Sequence, residues 1–183
     1  MNSLEKIQKV TGVFKIFARV AAILSMVGAG LALIFAIVFL VYKDASSISV
    51  FGMVLAEIGS GTGLEASGIL FGEFIMCLTD GILFFCAVKY LNNEIKAGTP
   101  FTTEGAVQIK ALGIKTIVLP LVAVILVEVV YGIFNELSAK LGEVSVELVR
   151  PDFNTGSSIL LGVILIILSL IFSYGAELEN KKA

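Results

Sequence analysis

The chain has 183 residues, 57% of them apolar and 15% charged, with a formal net charge of -2 and a mean hydropathy of +1.00. A soluble domain of this size is roughly 45–50% apolar and about 25% charged. The composition is therefore that of a membrane protein and leaves no place for a soluble enzyme, a disordered chain or a secreted disulfide scaffold.

The apolar residues gather in four blocks, at about 20–42, 64–88, 116–134 and 158–176. Each is close to the roughly 20 helical residues that cross a hydrocarbon layer. Ahead of the first block, Leu4, Ile7, Val10, Phe14 and Phe17 recur every three or four residues, with Lys6, Lys9 and Lys15 between them. Residues 1–19 thus form a cytoplasmic amphipathic segment. It is either a basic helix lying among headgroups or a plain extension of the first span. The first block is longer than the roughly 7–15 apolar residues of a signal peptide, so it is expected to remain as a span. Gly28, Ala32 and Ala36 recur along it at four-residue spacing. Small residues in such a row let helices approach closely, inside one chain or between two.

The first connection is Ser- and Gly-rich at its ends and apolar over residues 50–58. A short helix on the outer face, or a segment packed back over the bundle, is expected there. The second block holds Cys77 and Cys86. They lie about 180° apart on a helix, so they do not bridge within it and read as packing residues.

The next connector is the most patterned stretch: Gly98, Thr99, Pro100, Phe101, Thr102, Thr103 and Glu104. Gly98 suits a left-handed helix end, Pro100 forbids continuation, Thr102 is a good N-cap and Glu104 sits where a helix dipole favours an acid. This is a structural helix–turn–helix, with no warrant for DNA binding. Pro120, in the third block, removes one backbone hydrogen bond, and a kink is expected. After that block, residues 144–149 alternate in polarity and hint at a strand that Pro151 ends.

The connector, followed by a membrane helix, resembles a recurring signature of a family of small bacterial four-span membrane proteins classed as a domain of unknown function. The end of the chain, Ile171, Phe172, Ser173, Tyr174, Gly175, Ala176, Glu177 and Leu178, is similar to that family's closing aromatic-Tyr-Gly-x-x-Leu pattern. The span layout agrees along the whole chain. The tail here is shorter and less acidic than the family's, and the connector less basic. The resemblance implies a bacterial cytoplasmic-membrane location and a gene neighbouring a small Cro-type repressor. It carries over no catalytic residue.

Orientation follows from the basic residues. With the N-terminus inside, ten lie inside (Lys6, Lys9, Lys15, Arg19, Lys89, Lys96, Lys110, Lys115, Lys181, Lys182) and three outside (Lys43, Lys140, Arg150), a positive-inside bias. Tyr42, Tyr90, Tyr131 and Tyr174 fall near span ends, where amphipathic rings prefer to sit.

Three acids lie within the spans: Glu73, Asp80 and Glu128. A carboxylate at mid-bilayer costs a few kcal/mol, roughly 2.5–3.5 for Asp, so such residues are expected to face the interior or a wet cavity. By helical rise Glu73 and Glu128 reach similar depth and are placed to share a proton. They form a ligand or ion site, or neutral acids that fix helix packing. No histidine is present, and no zinc motif or nucleophile with its base is recognisable. No enzyme, metal or cofactor is therefore expected.

The expected fold is all-α: one integral membrane four-helix bundle over residues 1–183, N-in/C-in. The expected function is non-enzymatic, a regulatory, sensory or immunity-type factor. Its partners would be the lipid bilayer and a protein or further copies of itself, with no nucleic acid. The alternative is a small oligomeric transporter or channel subunit using Glu73, Asp80 and Glu128.

Overall fold

A computed structural model of the chain describes residues 3–41, 47–50, 53–57, 63–99, 101–141 and 155–181. Four helices dominate it: α1 (Ser3–Val41), α2 (Gly63–Ala97), α3 (Thr103–Lys140) and α4 (Thr155–Asn180). The fold class is all-α, and all four helices are long and apolar enough to cross a membrane. The chain is a multi-pass membrane protein, and each helix overlaps one of the four apolar blocks, in order.

The helices overshoot a bilayer. The 39 residues of α1, 35 of α2 and 38 of α3, at about 1.5 Å each, exceed a hydrocarbon core of about 30 Å. Their ends therefore stand among headgroups or beyond. Helix α1 is unbroken from Ser3, which makes the amphipathic segment an extension of the span. Its apolar face does not turn inward: Val10, Phe14 and Phe17 are exposed, and Thr11 is the buried position. Pro120 sits inside α3 without ending it, as membrane helices tolerate.

The first connection corrects the expectation of a short helix. Two antiparallel strands form instead, β1 (Ser47–Val50) and β2 (Met53–Glu57). Ser47 pairs with Glu57 and Val50 with Met53, and a register shift between Ile48 and Ser49 leaves Leu55 as the extra residue of a bulge. The physical reason is local. Ile48, Val50 and Val54 are β-branched and favour extended backbone, and a helix of nine residues is too short to hold itself. Pro100, and the strand expected at 144–149 with Pro151, lie outside the described residues.

The contacts divide the chain into two compact units: Met1–Ser25, Thr79–Val122 and Asn154–Ala183 in the first, Met26–Leu78 and Ala123–Phe153 in the second. In the first, α3 and α4 touch at glycines. A methyl placed on Gly113 would stand 2.8 Å from the Gly162 carbonyl oxygen, and one on Gly162 would stand 2.7 Å from that of Gly113. In the second, the core of α1 is a stripe of small residues, Ala29, Ala32 and Ala36, closed by Phe39. The Ser67 hydroxyl donates to the Ala36 carbonyl at 2.8 Å, so α2 lies against that stripe.

In both units the buried residues are mostly small, and large apolar ones such as Leu24, Ile125, Leu160 and Leu170 point outward. This is the arrangement a lipid solvent permits. Lipid chains are as apolar as leucine, so burying leucine between helices gains little, whereas small residues gain close van der Waals contact.

Candidate functional site

The polar side chains of the first unit gather at the elbow between α2 and α3. Gly98 ends α2 with φ +76°, and its N–H donates to the Glu94 carbonyl at 3.1 Å. That is the left-handed C-terminal cap, where glycine carries no Cβ penalty. The Thr99 hydroxyl then accepts from the Phe101 N–H at 3.2 Å. Thr102 caps α3, its hydroxyl accepting from the Gly105 N–H at 2.9 Å, as the sequence predicts. Glu104 stands in the first turn of α3. From α1, the Gln8 amide reaches the Gly98 carbonyl at 3.5 Å, a long contact.

Phe101 leaves the elbow toward α4. Its ring meets Phe172 edge-on, centroids 5.7 Å apart at 84°, and it lies directly over Gly175. The two motifs that carry the family resemblance are therefore in contact.

Above the turn, α2 and α3 enclose a cleft of about 90 Å³ lined by Tyr90, Asn93, Glu94, Thr102, Glu104 and Gln108 among others. Its side chains are bonded to one another. The Asn93 amide donates to Gln108 Oε1 at 3.0 Å, Gln108 Nε2 donates to Glu104 at 2.9 Å, and the Tyr90 hydroxyl donates to Glu94. Such a chain holds each group in one orientation. Sequence reasoning found Gly98, Phe101, Thr102 and Glu104, read Tyr90 only as a span-end ring, and missed Asn93, Glu94 and Gln108. The signal was available: Tyr90, Asn93 and Glu94 share one face of α2 at helical spacing, just past the apolar block.

The intramembrane acids are placed differently from expectation. Glu73, Asp80 and Glu128 are all exposed on the protein surface, where an inward position was expected. The inward position belongs to Tyr131, 3% exposed, with its ring on Gly72. Glu73 and Glu128, in the second unit, both lie near enough to the Tyr131 hydroxyl to act on it electrostatically. That hydroxyl is buried without a hydrogen-bond partner among the described residues. Asp80 belongs to the first unit. Glu65 is buried in the first turn of α2.

Of the packing residues, a methyl on Gly28 would stand 3.6 Å from Cys77 Sγ, ordinary contact. Ala32 and Ala36 are buried. Neither cysteine is in a disulfide. Among the described residues no group of three or more Cys, Asp or Glu is placed to hold a metal ion.

Compared with family models, with curated proteins and with solved structures, the chain matches none.

Proposed function

We propose that the chain is a non-enzymatic protein of a bacterial cytoplasmic membrane, N-in and C-in, that acts by engaging a protein partner through the α2–α3 elbow. The observation that carries this reading is the self-satisfied polar surface there. Asn93, Gln108 and Glu104 spend their hydrogen bonds on each other, which suits a fixed recognition surface better than a reaction centre. Thr103 and Glu104 are exposed beside it. The ten-to-three distribution of basic residues supports the orientation, and the resemblance of connector and tail supports the bacterial membrane.

The test is site-specific photocrosslinking in the native membrane. A crosslinker at Glu104 is expected to give a discrete protein adduct, and one at lipid-facing Ile125 none. Identical products from both positions would overturn the reading.

One observation favours the alternative of an oligomeric transporter or channel subunit. Glu73 and Glu128 are exposed and flank one buried phenol. Carboxyls facing hydrocarbon are costly, and a second copy covering them would relieve that cost. Ion flux through vesicles containing the purified protein, abolished by Glu73→Gln, would replace the leading reading with this one.

A further inference from the structure

Next to the elbow cleft, α2 and α3 enclose a second one of about 150 Å³, lined by Cys86, Lys89, Tyr90, Gln108, Leu112 and Lys115 among others. The helices run antiparallel here. Asn93 meets Gln108 and, about two turns away on both helices, Cys86 meets Lys115, whose ammonium lies 3.6 Å from the thiol. Lys89 stands about one turn from Cys86 on the elbow side. The two lysines therefore flank one groove, one from each helix.

Their depth is set by the sequence. Lys89 follows the last residue of the second apolar block and Lys115 precedes the first residue of the third. By those block ends both lysines fall at the same end of their two spans, where lipid phosphates would stand. Both lysines are exposed. Among the described residues the one lysine–carboxylate pair within bonding distance is Lys140 with Glu136, so neither groove lysine is neutralised by a neighbour. A thiol is a weak acceptor and does not replace a carboxylate. The carboxylates of the adjoining cleft are engaged elsewhere, Glu94 with Tyr90 and Glu104 with Gln108. Those same bonds occupy the Tyr90 hydroxyl and the Gln108 amide, and the two ammoniums remain as the groove's cationic donors. On the membrane side, Ile82 and Phe85 of α2 and Val118 of α3 are exposed and apolar, a surface along which acyl chains would lie.

We propose that this groove binds the phosphate of an anionic phospholipid, held between Lys89 and Lys115, with the acyl chains along the apolar surface beneath. Free phosphate shares the charge but lacks the chains, and the apolar surface favours the lipid. The inference rests on the membrane-spanning fold and is independent of the partner proposed for the elbow.

Native mass spectrometry of the purified full chain, given an equal mixture of phosphatidylglycerol and phosphatidylcholine, tests it. Two lysines at a membrane surface correspond to a preference of roughly 30-fold for the anionic lipid. Lys89→Gln with Lys115→Gln is expected to bring retention near parity. Lys96→Gln with Lys110→Gln removes the same charge outside the groove and is expected to leave the preference in place. Lys89→Arg with Lys115→Arg is expected to keep it too, which guards against a folding defect. As an independent readout, alkylation of Cys86 in a Cys77→Ser background should be slower in vesicles containing phosphatidylglycerol than in pure phosphatidylcholine. Equal loss in the two glutamine pairs, no preference between the lipids, or displacement of the lipid by excess inorganic phosphate would each overturn the assignment.

Discussion

Phe101 fills the space that a side chain at position 175 would need: a methyl group on Gly175 would stand 2.5 Å from the phenyl Cδ1. The ring is also edge-on to Phe172, so the elbow and the end of α4 interlock through one aromatic side chain. Gly175→Ala is expected to destabilise the protein by about 1–3 kcal/mol through overpacking. In a Phe101→Ala background the same change should cost much less, because the ring it strikes is gone. Unfolding in mixed micelles measures both. Additive effects would mean that the two residues do not share this contact.

The glycine crossing of α3 and α4 gives a sharper test. Gly113→Ala or Gly162→Ala sets a methyl against opposing backbone, which moves less easily than a side chain, and each should lower unfolding stability by at least as much as Gly175→Ala. Gly30→Ala is the control, since a methyl there meets nothing within 4 Å. Replacing a helical glycine by alanine without a clash stabilises by roughly 0.5–1 kcal/mol. If all three substitutions behave alike, the crossing is not a close one.

The Thr102 cap is separable from the aromatic lock. Thr102→Ala removes the bond to the Gly105 N–H and should cost about 0.5–2 kcal/mol. Deuterium uptake over residues 102–110 is expected to rise while that of mid-α3 stays unchanged. Uptake as fast as in a free peptide already in the unmutated protein would show that no fixed elbow exists.

Much of this was legible in the sequence. Apolar block length placed the four helices, and Gly98, Thr102 and Glu104 spelled out how one helix stops and the next begins. Those signals are local, so a single chain carries them. The contact between Phe101 and Gly175 is not local, and nothing in either residue names the other. The acids show a different limit. Helical rise sets Glu73 and Glu128 at similar depth, but rise says nothing about which way a helix is rotated. All three intramembrane acids consequently face outward against expectation. The β-hairpin follows from the β-branched Ile48, Val50 and Val54, a pattern that the expectation of a short helix leaves unused.

Tyr131 offers a test of the acid pair. Its hydroxyl is buried without a partner among the described residues, so Tyr131→Phe should be neutral or mildly stabilising, where loss of a made bond costs about 0.5–1.5 kcal/mol. A methyl on Gly72 would stand 2.8 Å from that oxygen, so Gly72→Ala should be tolerated better in the phenylalanine background. A clear loss of stability in Tyr131→Phe would instead mean that Glu73 or Glu128 accepts a hydrogen bond from the phenol.

Orientation is tested by single cysteines in a background lacking Cys77 and Cys86. With the N-terminus inside, Ser47→Cys and Asn154→Cys should react with an impermeant thiol reagent on intact cells, and Thr103→Cys only after permeabilisation. Labelling of Thr103→Cys on intact cells would invert the topology and put the elbow outside.

The interlock of Phe101 with Gly175 also orders events in time. A ribosome adding about 5–20 residues per second needs roughly 4–15 s to travel from one residue to the other. During that interval the Thr102 cap can already form, since its partners are made, but the phenyl ring has no seat. A chain cut short within α4 keeps that ring uncovered indefinitely. An unseated aromatic side chain at the membrane surface therefore separates unfinished molecules from finished ones, a difference within reach of any protease that patrols the bilayer.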